Sequence, residues 1–462
     1  MSEQRFISRR EFLRLAGITS AGMLAAACST TPASTTGGAP PSEAVTVEWW
    51  HGWPGMTAIN ALQAVADAFN EKMASEGIRV NRTQVGGDTQ GTGDIYLTAI
   101  AAGNPPDIEI GNIPYPEFWA RDVLQTLDER VKASTVIDVA DTVPAAIEGG
   151  MWLGKTYGWP AVECSWRYGF SYNVDLVEKA GLDPSKPPVT WDEAYEWHDR
   201  ITTFDSAGNV EILGFDPMDA MSGAGGPDYF WMPDVGLTWW DKENLTITFD
   251  DPRFVFVLAT IKKFYDRVSV EKMAGYRSSY GTWTQSPTAS FPAGVQAMII
   301  NGAWQPGELA HSAPDKRFAY SWPPVPEERR GVKWQSSGGH WGNIPKGAKH
   351  ADEAFKFLEY LTTLEAADII FEHTGWLAPR ISWNENLDVS TYPGLEFYTN
   401  SVKLADEIWP MAVCPITGFV GQNWYNVVDA VTYGKKTPEE AARDYHVLCN
   451  EELKKQFPDL VG

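Results

Sequence analysis

Strand-like and helix-like segments alternate from residue 45 onward, and this alternation constrains the fold of the chain more than any other feature. Residues 45–50 alternate apolar and polar side chains as a strand does, and they end at a turn rich in Gly and Pro. Apolar residues recur at helical spacing over 59–73, and 78–85 has the strand pattern again. A helix over 94–102 and a short strand over 107–111 follow. This succession predicts an α/β fold with a mostly parallel sheet.

Helix signals return in the later part of the chain. Thr190-Trp191-Asp192-Glu193 has the form of a capping box, in which the Thr and Glu side chains bond backbone N–H groups at a helix start. Residues 351–361 place apolar side chains on one helical face, and Thr437 followed by Pro438 predicts another helix start. A chain of 462 residues has room for at least two buried cores. Because open α/β sheets bind ligands at the carboxyl ends of their strands, we expect the functional site in the loops there.

The first 27 residues have the features of an export signal. Arg9 and Arg10 precede an apolar run over 15–27 that is shorter than a membrane-spanning helix needs. The pattern resembles a twin-arginine signal, in which paired arginines are read by the export machinery. We therefore predict that residues 1–27 are removed and that the protein is exported.

Cys28 follows three alanines, and this segment resembles a lipobox, in which the Cys is acylated after cleavage. Leu24 lies one position earlier than the usual pattern, so an ordinary signal with an incidental Cys is the alternative. Residues 28–43, rich in Thr, Pro, Gly and Ser, predict a flexible tether. The expected location is the outer face of the cell membrane, with the lipid on Cys28 as the membrane anchor.

Charge and motif content exclude several classes of function. The chain has 37 Lys and Arg against 60 Asp and Glu, a formal net charge of −23, and cleavage after residue 27 lowers it to −25. Such a field repels phosphate backbones, so nucleic acid is not an expected partner. The sequence has no phosphate-binding loop, no Gly-x-Ser-x-Gly elbow and no His-Glu-x-x-His motif. We predict a monomeric protein that is not an enzyme and uses no cofactor or metal.

The cysteine content does not favour a fold that depends on disulfide bonds. If Cys28 is acylated, three cysteines remain, namely Cys164, Cys414 and Cys449. Buried thiols are the simpler interpretation, and a bridge between Cys164 and Cys414 stays open.

Tryptophan is the unusual component, with 21 in the chain and many beside Gly, Pro, Asn or Asp. A sugar ring presents a face of C–H groups that packs on an aromatic plane, while its hydroxyls need donors and acceptors at its rim. A large core residue is the simpler interpretation of any single Trp. So many in turn contexts nevertheless indicate a carbohydrate site.

Three parts of the sequence resemble one protein family. Residues 157–163 with 172–182 form the first, 291–304, ending in Asn301-Gly302-Ala303-Trp304, form the second, and 344–358 form the third. Together they resemble the family 1 extracellular solute-binding proteins, the receptors of sugar ABC importers. That resemblance implies a periplasmic-binding-protein fold of two α/β lobes joined by crossing segments, with the ligand in the cleft. It implies an N-lobe of 44–163 and 338–380 and a C-lobe of 164–337 and 381–462.

The resemblance also implies roles for particular residues. Glu163 lies where the maltose receptor of the family has a sugar-binding Glu, and Trp304 matches a stacking aromatic residue. The Asp-Lys pair that some sugar binders carry near His51 is absent, as is the Asp that the maltose receptor has after the third strand. Together with the tryptophans in turns, these positions give the predicted ligand-binding set: His51, Trp53, Asn112, Tyr115, Glu163, Trp166, Tyr229, Trp231, Trp304, Trp341 and Trp424.

The expected function is that of an ABC-importer receptor that binds a carbohydrate, expected to be an oligosaccharide, and closes around it. Its expected partners are the sugar and the importer's permease subunits. The alternatives are the same fold with another solute, such as glycerol phosphate or a polyamine, and an exported glycosidase. A phosphate ligand would call for Arg or Lys at the cleft, whereas the predicted loops supply Trp, Tyr, Asn and Glu.

Overall fold

The computed structural model describes residues 44–461 except 54, 88, 112, 164–167, 225 and 282. The predicted signal, the tether and Cys28 lie outside the described residues. The part of the chain that the structure describes forms one compact unit.

Sixteen strands occur within the described residues. They are β1 Val45–His51, β2 Ile78–Gln84, β3 Ile108–Ile110, β4 Met151–Trp152, β5 Lys155–Thr156, β6 Trp159–Ala161, β7 Gly169–Asn173, β8 Thr203–Phe204, β9 Val210–Phe215, β10 Trp240–Asp241, β11 Thr246–Ile247, β12 Gln296–Asn301, β13 Phe318–Ser321, β14 Trp334–Ser337, β15 His340–Asn343 and β16 Glu407–Pro410.

Twenty α-helices occur in the same described ranges. They are α1 Met56–Lys72, α2 Thr89–Ala101, α3 Tyr115–Ala120, α4 Asp128–Ala133, α5 Pro144–Glu148, α6 Val174–Lys179, α7 Trp191–Ile201, α8 Ala220–Gly223, α9 Trp231–Asp234, α10 Pro252–Val268, α11 Val270–Ser279, α12 Ser290–Ala293, α13 Gln305–Ser312, α14 Ala351–Leu361, α15 Leu364–Thr374, α16 Ile381–Asn386, α17 Leu395–Leu404, α18 Thr417–Thr432, α19 Pro438–Gln456 and α20 Pro458–Val461.

The first five-stranded sheet has the order β2-β1-β3-β15-β6. β1 pairs in parallel with both β2 and β3, as the alternation of strands and helices predicts. β15 runs antiparallel to β3 and to β6. The carboxyl ends of β1 and β3 therefore lie at one edge of the sheet, and the loops after them share that edge.

The second five-stranded sheet has the order β13-β7-β12-β9-β8. Only the β12–β9 pair is parallel, because β7, β8 and β13 all run against their neighbours. The α/β class is confirmed, but the expectation of a mostly parallel sheet is wrong. β13 and β15 join their sheets beside strands that lie far away in the chain, and a strand can pair with such a neighbour in either direction.

Helix starts follow the sequence signals closely. Thr190 accepts a hydrogen bond from the Glu193 backbone N–H, and α7 begins at the next residue. Thr437 and Glu440 form a full capping box at α19, where Pro438 takes the first helical position. Because each cap satisfies backbone N–H groups that the helix itself leaves unpaired, these helix starts could be predicted from sequence.

Cys414 and Cys449 are buried free thiols. Cys164, the other end of the bridge that the sequence left open, lies outside the described residues. No helix within the described ranges combines the length and the apolarity needed to cross a bilayer.

Candidate ligand-binding cavity

A cavity of about 710 Å³ opens beside the carboxyl ends of β1 and β3. Its size is in the range of small-molecule sites, about 300–1,000 Å³. Its wall is formed by Trp53, Gly55, Gly87, Gly111, Ile113, Pro114, Tyr115, Pro116, Glu163, Met221, Ala224, Tyr229, Gly281, Trp283, Gln285, Ser286, Trp304, Glu308, Gly339, His340, Trp376, Met411, Thr417, Gly418, Gly421, Gln422 and Tyr425. Loops after strands of both sheets and one face of α18 contribute to this wall.

Aromatic rings dominate the side of the cavity next to the first sheet. Trp53 follows β1, and its ring centroid lies 4.7 Å from that of His340 and 5.5 Å from that of Trp376. Gly111 permits this arrangement, because its φ of 152° disfavours other residues and a Cβ atom there would come within 3.1 Å of the Gly52 backbone nitrogen. Edge and tilted contacts of this kind hold the rings in fixed orientations.

Tyr115 is held in place by the backbone around it. Its hydroxyl accepts hydrogen bonds at 3.2 Å from the backbone N–H groups of Gly111 and Trp341, and it donates to the Gly111 carbonyl. The Tyr115 ring also contacts the Trp341 ring edge-on, with centroids 5.2 Å apart. Tyr115 therefore presents a rigid aromatic edge to the cavity.

The second sheet supplies another pair of side chains. Asn301 ends β12, and Gly302 and Ala303 lead into Trp304, which directly precedes α13. Glu308 lies one turn further along α13, on the same face as Trp304. An indole and a carboxyl group thus face the cavity side by side.

Two carboxyl groups line the cavity. Glu163, 3% exposed, lies with an Oε2 atom 3.3 Å from Nδ1 of His340, and its backbone carbonyl accepts from the His340 N–H. Glu308, 1% exposed, accepts a hydrogen bond of 2.5 Å from the Thr284 hydroxyl. Burial, reinforced by the charge of Glu163, raises the pKa of Glu308 to about 8. Glu308 is therefore mostly protonated at neutral pH.

A further acid lies directly behind the wall. Asp228 is buried next to Tyr229, and neither of its carboxyl oxygens has a hydrogen-bond partner. Burial raises its pKa to about 7, and the pKa of the neighbouring Tyr229 is raised by burial and by the charge of Asp228. Among the described residues of the wall there is no Lys or Arg.

Most of the chain is similar to a known protein family. The model of the bacterial extracellular solute-binding proteins matches residues 53–368, about two thirds of the chain. The chain belongs to this family. A comparison with curated protein sequences gives no match.

Solved structures with the same fold include several solute-binding proteins. CpMnBP1 with mannobiose bound has a TM-score of 0.77 at 24% identity and covers 88% of this chain and 99% of its own. The maltose/maltodextrin-binding domain of Bdellovibrio bacteriovorus, bound to maltotriose, has a TM-score of 0.70 at 18% identity, with 89% and 100% covered. UgpB from Mycobacterium tuberculosis, in complex with glycerophosphocholine, has a TM-score of 0.68 at 16% identity, with 89% and 99% covered. At these identities the similarity establishes the two-lobed periplasmic-binding-protein fold.

The structure brings five of the predicted ligand-binding residues of this solute-binding protein into the cavity wall. They are Trp53, Tyr115, Glu163, Tyr229 and Trp304. Asn112 and Trp166 lie outside the described residues.

His51 is not part of the cavity wall, although its ring centroid lies 6.0 Å from that of Trp53. Its ring is buried in the first sheet, with Nε2 2.7 Å from Nη1 of Arg82. Burial, together with the Arg82 charge, lowers the pKa of His51 to about 3, so the ring is neutral and can accept from the guanidinium. The side chain of His51, the last residue of β1, is therefore buried against the sheet. Trp53, two residues later, lines the cavity.

Three predicted tryptophans are also absent from the wall. Trp231 and Trp341 are fully buried, and their indole N–H groups donate to the backbone carbonyls of Ser222 and Ala146, each at 2.7 Å. Trp424 is fully buried next to Phe254, with ring centroids 6.1 Å apart. Turn-rich sequence around a Trp is therefore compatible with a core position, and we leave these three out of the proposed site.

Several wall residues were not predicted, although the sequence contains signals for some. Trp283 and Trp376 are tryptophans beside turn residues, and Glu308 follows Trp304 at the four-residue spacing of one helical face. Gly418, Gly421, Gln422 and Tyr425 share a face of α18 by the same rule and line the cavity together. The sequence around Gln285 and His340 contains no signal that predicts a place in the wall, and only the fold brings them there.

Proposed function

We propose that this solute-binding protein captures a carbohydrate in the cavity and delivers it to the permease of an ABC importer. The observation that carries the proposal is a wall rich in Trp and Tyr rings with carboxyl, amide and imidazole groups among them. Rings such as Trp53 and Trp304 offer faces for the C–H side of a pyranose, and Glu163 and Gln422 offer partners for its hydroxyls. A volume of about 710 Å³ suits an oligosaccharide better than a single sugar.

Structural relatives support a saccharide. CpMnBP1 and the Bdellovibrio bacteriovorus domain are described with mannobiose and maltotriose bound. UgpB, which is described with glycerophosphocholine, represents the phosphate alternative. A buried phosphate requires cationic or strongly donating partners, and the described wall residues include no Lys or Arg. The wall therefore favours a carbohydrate over a glycerol phosphate.

Ligand capture by this fold is proposed to involve closure of the two lobes. Val162, between β6 and Glu163, has a φ of 53°, a conformation that costs a β-branched residue on the order of 1–3 kcal/mol. It lies in the segment that leads from the first sheet to the second. A strained residue at this crossing is a suitable hinge, because a small rotation there moves Glu163 relative to the wall residues that follow the strands of the second sheet.

A panel of ligands tests the proposed function. We expect at least one oligosaccharide among mannobiose, mannotriose, maltotriose and cellobiose to raise the melting temperature, because a ligand at 100 times its Kd stabilises a native protein by about 2.7 kcal/mol. Glycerophosphocholine and spermidine represent the phosphate and polyamine alternatives. Chromatography after incubation checks that the oligosaccharide stays intact. A shift with glycerophosphocholine or spermidine alone, or cleavage of the sugar, would contradict the proposal.

Membrane anchoring is proposed to depend on Cys28. The Cys28→Ala protein should remain exported but move from the detergent phase to the aqueous phase in detergent partition, because the acyl chains supply the membrane affinity. Ser29→Ala, one residue later, is the matched control and should stay in the detergent phase. Equal partition of Cys28→Ala and the unaltered protein would show that another segment holds it at the membrane.

A further inference from the structure

We infer that the saccharide which fits this cavity carries a protonated amino group, and that this ammonium binds the carboxyl group of Glu308 in the wall that Glu163 also lines. The inference rests on the proposed function and narrows it to amino-substituted carbohydrates. It is carried by the charge distribution in the cavity and by the aromatic faces around it.

The first observation is the charge of the wall. The wall contains two acidic side chains, Glu163 and Glu308. The described wall residues include no Lys or Arg. His340 is the one described wall side chain able to carry positive charge, and it lies against Glu163. Asp228, directly behind Tyr229, adds a third buried carboxyl. With a neutral sugar Glu308 keeps its proton and stays uncharged, whereas an ammonium allows Glu308 to ionise and to act as its counterion.

The second observation is the environment of Glu308. Thr284 donates to its carboxyl group, Asn301 donates in turn to the Thr284 hydroxyl at 3.1 Å, and Gln285 lies close by in the wall. The titratable groups that face Glu308 are Glu163, on the crossing segment, and Tyr398, on α17. None of these supplies a positive charge, so in the empty cavity a proton neutralises Glu308. A ligand ammonium can replace that proton as the countercharge.

The third observation is the set of rings around the two acids. An ammonium is attracted to the face of a Trp or Tyr within about 6 Å of the ring centroid, and most strongly to Trp. Trp53, Trp376 and Trp304 are held at the cavity with restricted exposure, 6%, 4% and 7%. These rings can pack against pyranose faces and also stabilise a nearby positive charge. The same rings can therefore contact both the pyranose ring and the ammonium group of an amino sugar.

The binding step is a proton exchange without a covalent change. The ligand arrives as R–NH₃⁺, the neutral carboxyl group of Glu308 loses its proton to solvent, and the carboxylate formed pairs with the ammonium. The complex gains one positive charge from the ligand and releases one proton, so charge balances. At about pH 6, sugar amines are protonated and Glu308 retains its proton in the empty cavity, so the release is measurable there.

Matched ligands give the first measurement. Glucosamine, galactosamine, mannosamine and the β-1,4-linked disaccharide of glucosamine are each compared with the N-acetylated and the hydroxyl-bearing counterparts by thermal shift and calorimetric titration at about pH 6. We expect the best amine ligand to bind at least about tenfold more tightly than its two counterparts. Titration in buffers of different ionisation enthalpy should show release of about one proton per amine ligand.

Glu308→Gln gives the second measurement. The variant keeps the shape and the acceptor for Thr284 but cannot supply a carboxylate. We therefore expect it to lose the preference of about tenfold for the amine ligand over its two counterparts, and we expect the proton release to disappear. Asp234→Asn is the control: this buried acid, which accepts from the indole N–H groups of Trp191 and Trp334, also has its pKa raised by burial to about 8 but lies outside the wall. It should alter stability and leave the amine preference intact.

The outcomes separate this inference from the proposed function. Tight binding of a neutral saccharide with no gain from the amino group and no proton release would overturn the inference and leave the proposed function standing. Binding of spermidine but of no saccharide would overturn both. An amine preference that survives in Glu308→Gln would also overturn the assignment, because the ammonium would then be bound elsewhere.

Discussion

Trp424→Ala is expected to lower the stability of the protein strongly, by about 3–5 kcal/mol, while the folded fraction binds ligand normally. The Trp424 side chain is fully buried, and it packs near Phe254 of α10. Its removal leaves a large cavity between α18 and α10, and the surrounding helices can close it only in part. The measurement is a chemical unfolding curve, combined with calorimetric titration of the saccharide that gives the largest thermal shift.

Tyr425 provides a matched control for this prediction. It follows Trp424 directly, is 49% exposed, lines the cavity and donates a hydrogen bond of 3.0 Å to the Gly223 carbonyl. Tyr425→Ala should therefore cost little stability but weaken ligand binding about tenfold. The two neighbouring substitutions thus have opposite effects. A stable Trp424→Ala protein with lost affinity would place the indole in the site, as the sequence had suggested.

The case of Trp424 explains why part of the site could not be predicted. Gly421, Gln422 and Asn423 look like a turn in the sequence, but they lie within the continuous helix α18. Tertiary packing overrides the local preference of these residues, and the small residues on one face of the helix leave room for the cavity. Which residues of a helix face a ligand depends on how the helix is rotated, and its local sequence does not determine that.

Other features were predictable because they depend on local chemistry. The start of α19 follows from Thr437 and Pro438, and the alternation in 45–50 gives β1 almost to its last residue. Trp53 and Tyr115 were predicted from their positions after β1 and β3, since loops at that edge of the sheet meet. Glu308 was missed because its place in the wall with Glu163 depends on the fold, which brings together residues far apart in the chain. The lobe boundaries proposed from the resemblance stay a prediction.

Trp304→Ala is expected to weaken saccharide binding about ten- to a hundredfold, equivalent to about 1.5–3 kcal/mol. The Trp304 ring is 7% exposed and lies over Gly302, since a Cβ atom built on Gly302 would come within 2.2 Å of the ring carbons. The backbone turn after β12 thus holds the indole against the cavity. Losing it removes a stacking face of the wall and leaves Glu308 beside an open gap.

Two further variants separate the loss of the ring from damage to the fold. Trp304→Phe keeps an aromatic face and should recover part of the affinity, because a smaller ring still packs on a pyranose. Gly302→Ala keeps the indole but displaces it, so it should weaken binding although no wall side chain is removed. All three are compared by calorimetric titration on protein whose melting temperature stays near that of the unaltered chain. Normal affinity in Trp304→Ala, or its failure to fold, would mean that the ring stabilises the core and that the sugar stacks on other residues of the wall.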